Sequence, residues 1–503
     1  MPRGHSTITQ VWPAGSPRAD AATTPRDDLL REEADGDGSF SQAHGPFHHY
    51  RRTVATRADG CVQEQVEYEL RVPGWGWLFR KPIRGALEHP RPAGAPSPWW
   101  APPDQLSARQ AAALGLLAMA AMSSAFTNTI FTQTATFAAD SFGVGDRGLG
   151  AAGATVRVGV LLSLPFAMLA DRVGRRRTIV LLAWLTPLFC ALGAAAPTFW
   201  ILTASQTVAR PFALALAMLA TVATVEDMPR NSRAYALSLL AMAAGLGAGV
   251  AVAALQLADL GPEGWRLVYV LSLVWLPVAV SLQRHLEETR RFETVHRIRP
   301  PLNRRRLGLI VLVAIASNLF IAPVSYFQNT YLKNVRGYSG TGITLFTLIT
   351  ATPASIGLVL GGRMADVGGR RRLIAVCIPL STGLFVAIYL SSGAAMWGLA
   401  FSGAILAALA YPAMAVYRSE MFPTGNRGWA NGLVNTASLL SGSVGILAVG
   451  LVRSHGMSFG TVMAVLGAGQ LLSAFLAYRY YPETAHLELE QLNPEDPLVT
   501  ERD

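Results

Sequence analysis

The sequence predicts an all-α membrane protein in which twelve transmembrane helices form two pseudo-symmetric bundles of six. Three observations carry this prediction. The 503 residues are 51% hydrophobic and 15% charged, with a mean hydropathy of +0.32, which is typical of polytopic membrane proteins. Apolar runs follow one another from about residue 109 to near the end of the chain. A short basic motif occurs twice, at half-protein spacing.

The apolar runs have the length that a membrane crossing requires. A helix needs ~20 residues to cross a hydrocarbon core of ~30 Å. Runs of about this length predict helices at 109–137, 148–170, 178–196, 199–225, 234–257, 266–284, 306–332, 341–362, 373–392, 394–417, 428–452 and 457–478.

The repeated motif is a basic turn between two apolar runs. It reads Asp171-Arg-Val-Gly174-Arg-Arg-Arg in the first half and Asp366-Val-Gly-Gly369-Arg-Arg-Arg in the second. The two aspartates are 195 positions apart. A tight basic turn at this spacing predicts a duplicated membrane domain.

Two further features recur at nearly the same offset. A Glu-x-x-Pro-x-x-x-Arg motif follows the fourth and the tenth runs, from Glu226 to Arg233 and from Glu420 to Arg427, with the glutamates 194 positions apart. Gln133 and Gln328, in the first helix of each half, are 195 positions apart. Three independent matches support the six-plus-six duplication.

The distribution of arginines predicts the orientation, because cytoplasmic loops carry an excess of basic residues. With a cytoplasmic N-terminus, the inner connections receive most of the arginines. The outer connections receive only Arg147, Arg266, Lys333, Arg336 and Arg453. We therefore expect both termini in the cytoplasm, and a bacterial inner membrane as the location.

The region before the first apolar run is expected to be mostly extramembrane. Residues 1–45 are poor in large apolar side chains, which predicts a disordered tail. Residues 46–105 contain Phe47–Thr56 and Cys61–Val72, joined through Asp59-Gly60, a pattern that predicts a β-hairpin. The tryptophans beside Arg80 and Lys81 favour a membrane-interface segment; the alternative is that they pack on the protein's own cytoplasmic face.

The remaining boundaries follow from the helices and the charges. We expect an N-terminal bundle at 106–284, a cytoplasmic linker at 285–305, a C-terminal bundle at 306–480 and a polar tail at 481–503.

The paired motifs resemble those of the major facilitator superfamily. The sequence from Glu420 to Gly428, and Pro482-Glu-Thr484, are similar to the sugar-porter and metabolite–proton symporter branches of that family. The resemblance implies two bundles that rock around a central cavity and move a solute by alternating access. Ala167 and Val367 depart from the family turn, and sugar-binding patterns are not convincing, so a sugar substrate does not follow.

The motif residues suit a cytoplasmic gate. Carboxylates at helix ends can meet a facing helix N-terminus or an arginine, and glycine tolerates the backbone of a tight turn. The alternative is that the arginines only set topology, which we expect for Arg177 and Arg372. The candidate gate residues are Asp171, Gly174, Arg175, Arg176, Glu226, Arg233, Asp366, Gly369, Arg370, Arg371, Glu420 and Arg427.

Two arginines inside apolar runs mark a candidate substrate cavity. Arg157 precedes Asp171 by 14 positions and Arg210 precedes Glu226 by 16, or roughly 21 and 24 Å along a helix. A charge this deep costs at least ~2.5 kcal/mol and usually marks a pathway or a buried partner; the alternative is snorkelling to the outer headgroups. No acidic partner is evident within the apolar spans, which favours an anionic substrate group.

Polar residues on other spans complete the predicted cavity, although each could instead form an interhelical hydrogen bond. In the family, fourth helices line the cavity. The further candidates are Asn128, Gln133, Gln206, Asn318, Tyr326, Gln328, Asn329 and Asn435.

The composition excludes several other classes. Three scattered cysteines give no metal-ligand spacing, and no nucleotide fold or nucleophile–base set is visible. The net charge is +10, but the basic residues lie between apolar runs, which argues against a nucleic-acid-binding protein. We expect a monomeric secondary transporter of a small organic solute, without enzyme activity, cofactor or metal, coupled to protons by family resemblance. The alternatives are a proton-driven exporter and a transporter-like sensor that signals through the N-terminal region.

Overall fold

The chain forms a small β-sheet unit followed by a large helical bundle. The computed structural model describes residues 6–70, 72–92, 98, 100–102, 104–229, 232–288, 303–422 and 427–483. Most of the predicted linker and the end of the predicted tail, residues 289–302 and 484–503, lie outside the described residues.

The N-terminal unit is a five-stranded antiparallel sheet with two helices. The strands pair in the order β1-β5-β4-β3-β2. The elements are β1 (Ser6–Trp12), α1 (Pro17–Ala22), β2 (Arg31–Gly36), β3 (Ser39–His44), β4 (Phe47–Thr56), β5 (Val62–Leu70) and α2 (Gly76–Glu88).

The predicted hairpin is present, whereas the disorder predicted for residues 1–45 is wrong from residue 6 onward; residues 1–5 lie outside the described part of the chain. Strands β4 and β5 pair over their whole length, and Gly60 in their turn has a φ of +79°, a conformation that suits glycine. Before them, residues 6–44 contribute three further strands to the same sheet, and they also form helix α1. A small sheet is therefore confirmed, but it is larger than the hairpin that the sequence predicts.

A buried ion network explains how such a polar segment folds. The guanidinium of Arg52 is fully buried and lies 2.6 Å from the carboxylate of Glu32, while Arg26 lies 2.5 Å from Glu64. Burial alone raises the pKa of Glu32, but hydrogen bonds and charge from Arg52, with smaller contributions from Tyr50 and Arg26, hold that pKa below its ordinary value. Composition alone misses this fold because paired charges share the interior of the unit with a few apolar side chains.

Helix α2 covers the same face of this sheet, where Arg26 of the ion network donates to the carbonyl of Leu87 at 3.0 Å. Its residues Ile83 and Leu87 are buried against a small apolar core formed by Ile8, Leu30, Phe47, Tyr50, Val66 and Tyr68.

The first bundle begins after this unit. Its spans are α3 (Ala108–Ser141); α4 (Asp146–Val158), a 3-10 turn (Gly159–Ser163) and α5 (Leu164–Val173); α6 (Arg175–Ala191); α7 (Phe199–Asp227); α8 (Arg233–Ala254); and α9 (Trp265–Val270), a 3-10 turn (Leu271–Trp275) and α10 (Leu276–His285).

The second bundle repeats this arrangement. Its spans are α11 (Arg304–Thr330); α12 (Gly340–Ala351) and α13 (Ala354–Gly368); α14 (Arg370–Ile388); α15 (Gly393–Glu420); α16 (Arg427–Ser454); and α17 (Phe459–Tyr480).

Eleven of the helical stretches among the described residues are long and apolar enough to cross a membrane. The predicted second span is not one of the eleven; it is helical from Asp146 to Val173 in three consecutive pieces. Large apolar side chains such as Val274 and Val465 remain exposed on the outside of the bundle, as a lipid-facing surface requires. The predicted fold class is confirmed.

The sheet unit packs against the start of the first bundle. The indole of Trp75 donates to the carbonyl of Gly115 on α3 at 3.1 Å, and the hydroxyl of Tyr235 on α8 donates to the carbonyl of Trp100 at 2.6 Å. A Cβ on Gly115 would lie 2.9 Å from a methyl group of Val72, so the glycine permits this close approach.

Candidate functional site

The two repeated turns have matching backbone geometry. Gly174 connects α5 to α6 with a φ of +112°, and Gly369 connects α13 to α14 with a φ of +89°. Side chains are strained at such angles, so glycine is needed at both positions. We call the end of the bundle that carries these turns the linker end, and the opposite end the far end.

A glutamate caps the helix that follows each turn. The carboxylate of Glu288 accepts from the backbone N–H of Arg176 at 3.1 Å, and that of Glu483 accepts from the backbone N–H of Arg370 at 3.0 Å and of Arg371 at 3.2 Å. A carboxylate at a helix N-terminus satisfies free N–H groups and meets the positive end of the helix dipole. The two glutamates are 195 positions apart in sequence, the same offset as the two turns that they cap.

The described arginines of the turns contact their own half of the protein. Arg176 donates from Nε to the carbonyl of Leu286 at 2.6 Å, and Arg371 donates from Nε to the carbonyl of Tyr478 at 2.9 Å. These bonds tie each turn to the last span of its own bundle.

The other predicted gate residues are described only in part. Arg175 lies 3.4 Å from Glu226, and Arg370 is buried. The side chains of Asp171, Arg233, Asp366, Glu420 and Arg427 lie outside the described part of the structure. The role of the whole set as a gate stays a prediction.

Halfway along the bundle, Arg157 meets the second half. Its guanidinium Nη2 lies 3.5 Å from the amide oxygen of Asn318 on α11, and the amide nitrogen of Asn318 donates to the carbonyl of Ser438 on α16 at 2.5 Å. A Cβ on Gly442 would lie 3.0 Å from Nε of Arg157. Three helices from both halves therefore converge on this arginine.

Arg210 is the second charge at this level. It lies close enough to Arg157 for the two positive charges to repel each other. The Nε atoms of both arginines are buried and have no hydrogen-bond partner among the described residues, while each side chain keeps part of its surface accessible. We refer to Arg157 and Arg210 as the central arginines.

The break in the second span brings the central arginines together. A Cβ on Gly159, in the 3-10 turn, would lie 2.5 Å from a methyl group and 2.9 Å from the backbone oxygen of Thr207. The second and fourth spans therefore touch at backbone distance, two residues after Arg157 and three before Arg210.

Beyond the central arginines, the two halves are joined by hydrogen bonds. The amide of Asn329 donates to the side-chain oxygen of Gln133 at 2.9 Å, and the hydroxyls of Thr136 and Thr330 are 2.8 Å apart. The hydroxyl of Tyr326 donates to the carbonyl of Leu149 at 3.0 Å.

Ion pairs and a helix cap complete the closure of the far end. Lys333 lies 2.7 Å from Asp140, and Arg453 lies 3.2 Å from Asp146. The carboxylate of Asp259 accepts from the first backbone N–H groups of α12, at 2.6 and 2.8 Å. The two halves are thus in contact at the far end.

The remaining predicted cavity residues divide into two groups. Gln206 is buried and donates to the carbonyl of Cys190 at 3.2 Å, so it joins helices of one half, and Asn128 contacts Ser124 on its own helix at 3.4 Å. Gln328 is half-buried and Asn435 is exposed, and neither makes a polar side-chain contact with another described residue.

Known proteins resemble this chain in both sequence and fold. The cis,cis-muconate transport protein of Acinetobacter baylyi is 26% identical over 368 residues, covering 65% of this chain and 86% of that protein. The shikimate transporter of Escherichia coli is 24% identical over 375 residues, covering 65% and 83%. The xylose transporter from E. coli in its inward open conformation aligns with a TM-score of 0.64 at 14% identity, covering 76% of this chain and 99% of that one.

The family follows from a direct match as well as from these likenesses. The family model described as Major Facilitator Superfamily matches residues 116–446, and again 307–500. The first match alone spans more than half of the chain, and it includes both turns, both central arginines and the far-end pair of Lys333 and Asp140. The chain belongs to the Major Facilitator Superfamily and is a multi-pass membrane transporter, not an enzyme.

Proposed function

We propose that the protein moves a small organic anion across the membrane by alternating access, in symport with protons, and that the central arginines bind the anion. The observation that carries this proposal is the pair of guanidinium groups, deep in the bundle, with no acidic partner among the described residues. Two like charges near each other in a low-dielectric interior repel. An anion between them replaces that repulsion with two attractive contacts.

The geometry suits a carboxylate. Guanidinium groups bind carboxylates through paired N–H donors, and the buried Nε atoms of both central arginines are free to donate within the described structure. Muconate and shikimate, which appear in the names of two of the relatives, are both carboxylates. A dicarboxylate would neutralise both charges.

The contacts around the central arginines support alternating access. Both arginines belong to the first half, while Asn318 and Gly442 beside Arg157 belong to the second. A ligand held here touches both halves, so its binding energy can favour one relative position of the halves over another. In the described conformation the halves meet at the far end, which leaves the linker end as the route of entry or release.

The placement of charge supports an orientation for this conformation. The turns at Gly174 and Gly369 carry arginine triplets, whereas the far end carries few basic residues. Under the positive-inside rule the linker end faces the cytoplasm of a bacterial cell. The protein is then closed to the outside, and the turns with their glutamate caps belong to the cytoplasmic gate.

Proton coupling rests on the resemblance of the sequence motifs to those of the metabolite–proton symporter branch. In sequence, the bundle's aspartates and glutamates lie near the ends of the spans, so no carboxylate in the middle of the bundle is available to carry the proton. A pH gradient across liposomes should drive uptake, and a protonophore should abolish it. Uptake that does not depend on the gradient would contradict proton coupling but would leave the proposal of an anion site unaffected.

The test of the binding site compares three arginines with full-length purified protein. Muconate and shikimate are titrated by thermal shift against Arg157→Gln, Arg210→Gln and the control Arg147→Gln, which lies exposed at the start of α4. A lost charge-assisted hydrogen bond is worth about 1.5–3 kcal/mol, so each central variant should bind at least about tenfold more weakly. The control should bind as the wild type does.

Two results would count against the proposal. One is unchanged binding in both central variants, which would remove the arginines from the site. The other is a thermal shift with neutral solutes such as xylose and no thermal shift with any carboxylate. That result would show that the substrate is not an anion.

A further inference from the structure

An apolar cavity lies between the sheet unit and the first bundle, away from the central arginines. Its volume is about 180 Å³. Apolar side chains form nearly all of its wall, including Trp75, Leu78 and Phe79 from the sheet side and Ala118, Leu239 and Leu246 from α3 and α8.

The cavity is open to the surface of the bundle that faces lipid. Met242 and Leu246 of α8 line it, yet they are 65% and 53% exposed. The lining residues of α8 run from Tyr235 to Leu246, a rise of roughly 16 Å along a helix. This is close to half of a ~30 Å hydrocarbon core, so the cavity has the depth of one leaflet.

Helix α2 places positive charge beside this cavity. Trp77 and Leu78 are 72% and 48% exposed, and they are followed by the exposed cations Arg80 and Lys81. Arg84 on the same helix is paired with Glu88 at 2.7 Å. An exposed tryptophan next to exposed cations is typical of helices at the headgroup level of a bilayer.

The rim of the cavity also contains an unsatisfied acceptor. Asp28 lines the cavity, and its Oδ1 atom is buried without a hydrogen-bond partner among the described residues. A buried carboxylate oxygen without a donor is costly. A ligand that reaches this rim with an N–H or O–H group would remove that cost.

We propose that the cavity binds one phospholipid of the surrounding bilayer. One acyl chain fills the apolar space between α8 and the sheet unit. The phosphate lies near Arg80 and Lys81, and a donor on the headgroup reaches Asp28. The bound lipid then becomes part of the interface that joins the sheet unit to the transporter.

The donor requirement distinguishes headgroups that share the same phosphate and chains. Phosphatidylethanolamine has an ammonium donor and phosphatidylglycerol has hydroxyl donors, whereas phosphatidylcholine has neither. Dioleoyl forms of the three lipids are titrated against the full-length protein in detergent, and the bound lipid is counted by native mass spectrometry. The first two should bind at least fivefold more tightly than the third, and Asp28→Ala should remove the difference, while exposed Asp20→Ala should keep it.

Blocking the entrance tests the acyl-chain site. Leu246→Trp adds bulk at the mouth of the cavity, and its control is Leu345→Trp on α12, a similarly exposed leucine outside the cavity lining (53% and 51%). We expect Leu246→Trp to weaken lipid retention at least fivefold and Leu345→Trp to leave it unchanged. Equal retention in the two variants overturns the proposal.

Removing charge tests the phosphate contact. The double variant Arg80→Gln/Lys81→Gln should weaken all three lipids. The matched control is Arg304→Gln/Arg305→Gln, an exposed pair at the start of α11, which should weaken none of them. Loss of binding in both pairs alike would show a general surface attraction, and equal affinity for all three lipids would exclude Asp28; either result overturns the proposal.

Discussion

At the scale of single residues, charges decide what this chain can do. In the sheet unit, buried charges are paired, as Glu32 and Arg52 show. In the bundle, the central arginines Arg157 and Arg210 have no such acidic partner among the described residues. A buried ion pair stabilises a fold or costs little free energy. A buried charge without an opposite charge costs much more, unless a ligand of opposite charge binds to it.

The paired charges predict an acid-sensitive sheet unit. The folded-state pKa of Glu32 lies below its ordinary value, so the stability it contributes is present above the ordinary glutamate pKa. That stability is lost as the pH falls through the ordinary range towards the folded pKa. The temperature at which residues 6–70 become cleavable by protease should fall between pH 6 and pH 3. In Glu32→Gln the temperature should be lower at pH 6, with a weaker dependence on pH; an equal slope would contradict this account.

At the scale of elements, the duplicated unit is a turn with its cap. In each half a glycine with positive φ ends one helix, and a glutamate from beyond the sixth or twelfth span caps the next. The two copies differ slightly: a Cβ on Gly174 would lie 2.6 Å from the carboxylate of Glu288, and one on Gly369 would lie 3.1 Å from that of Glu483. The cap packs more closely on the first turn.

These caps predict a measurable contribution to stability. Glu288→Gln and Glu483→Gln keep an acceptor but lose the charge at the helix N-terminus, so each should cost about 1 kcal/mol. The control is Glu287→Gln, next to the first cap. Glu287 pairs with Arg109 near the surface, and the loss of that pair should cost less. Thermal unfolding of the purified protein measures all three. A larger loss in the control than in the caps would refute the capping role.

At the scale of the whole molecule, the contacts between the halves define the conformation. Lys333 with Asp140, Arg453 with Asp146, and Asp259 with α12 join the far ends of the two bundles. Alternating access requires these contacts to break when the other face closes. They therefore set part of the energy difference between the two states.

Removing the far-end pairs should shift the population of states. Lys333→Gln/Arg453→Gln weakens two exposed or half-buried ion pairs, at up to about 1 kcal/mol each, which corresponds to a shift of up to roughly thirtyfold. A cysteine in place of buried Thr330 should then react faster with a thiol reagent from the far side. Arg266→Gln is the control, because Arg266 pairs with Glu263 within one half. Equal labelling rates in Lys333→Gln/Arg453→Gln and in Arg266→Gln would show that the two far-end pairs do not hold this face closed.

The sequence predicted the membrane fold because its signals are local and repeated. Run length and the spacing of Asp171 and Asp366 need no tertiary information. Arg157 and Arg210 were visible because a charge inside an apolar run is conspicuous. The bond from buried Gln206 to the carbonyl of Cys190 could not be predicted, because such a contact cannot be read from its position along a helix.

What the sequence analysis missed depends on contacts between distant residues. Strands β2 and β3 are polar, and their stability comes from partners such as Arg52, twenty residues from Glu32. The far-end ion pairs join residues in opposite halves, up to 307 positions apart. The caps Glu288 and Glu483 were detectable through their offset of 195, but only as a repeat without a known partner.

Uptake by reconstituted liposomes tests the central claim most directly. Labelled muconate, shikimate and xylose are offered to wild-type protein and to Arg210→Gln, with Arg147→Gln as the control. We predict that the wild type and the control accumulate at least one carboxylate but not the neutral sugar, and that Arg210→Gln, although folded and inserted, accumulates neither carboxylate. Carboxylate uptake by Arg210→Gln at the wild-type rate, or uptake of xylose alone, would contradict an anion transporter built around the central arginines.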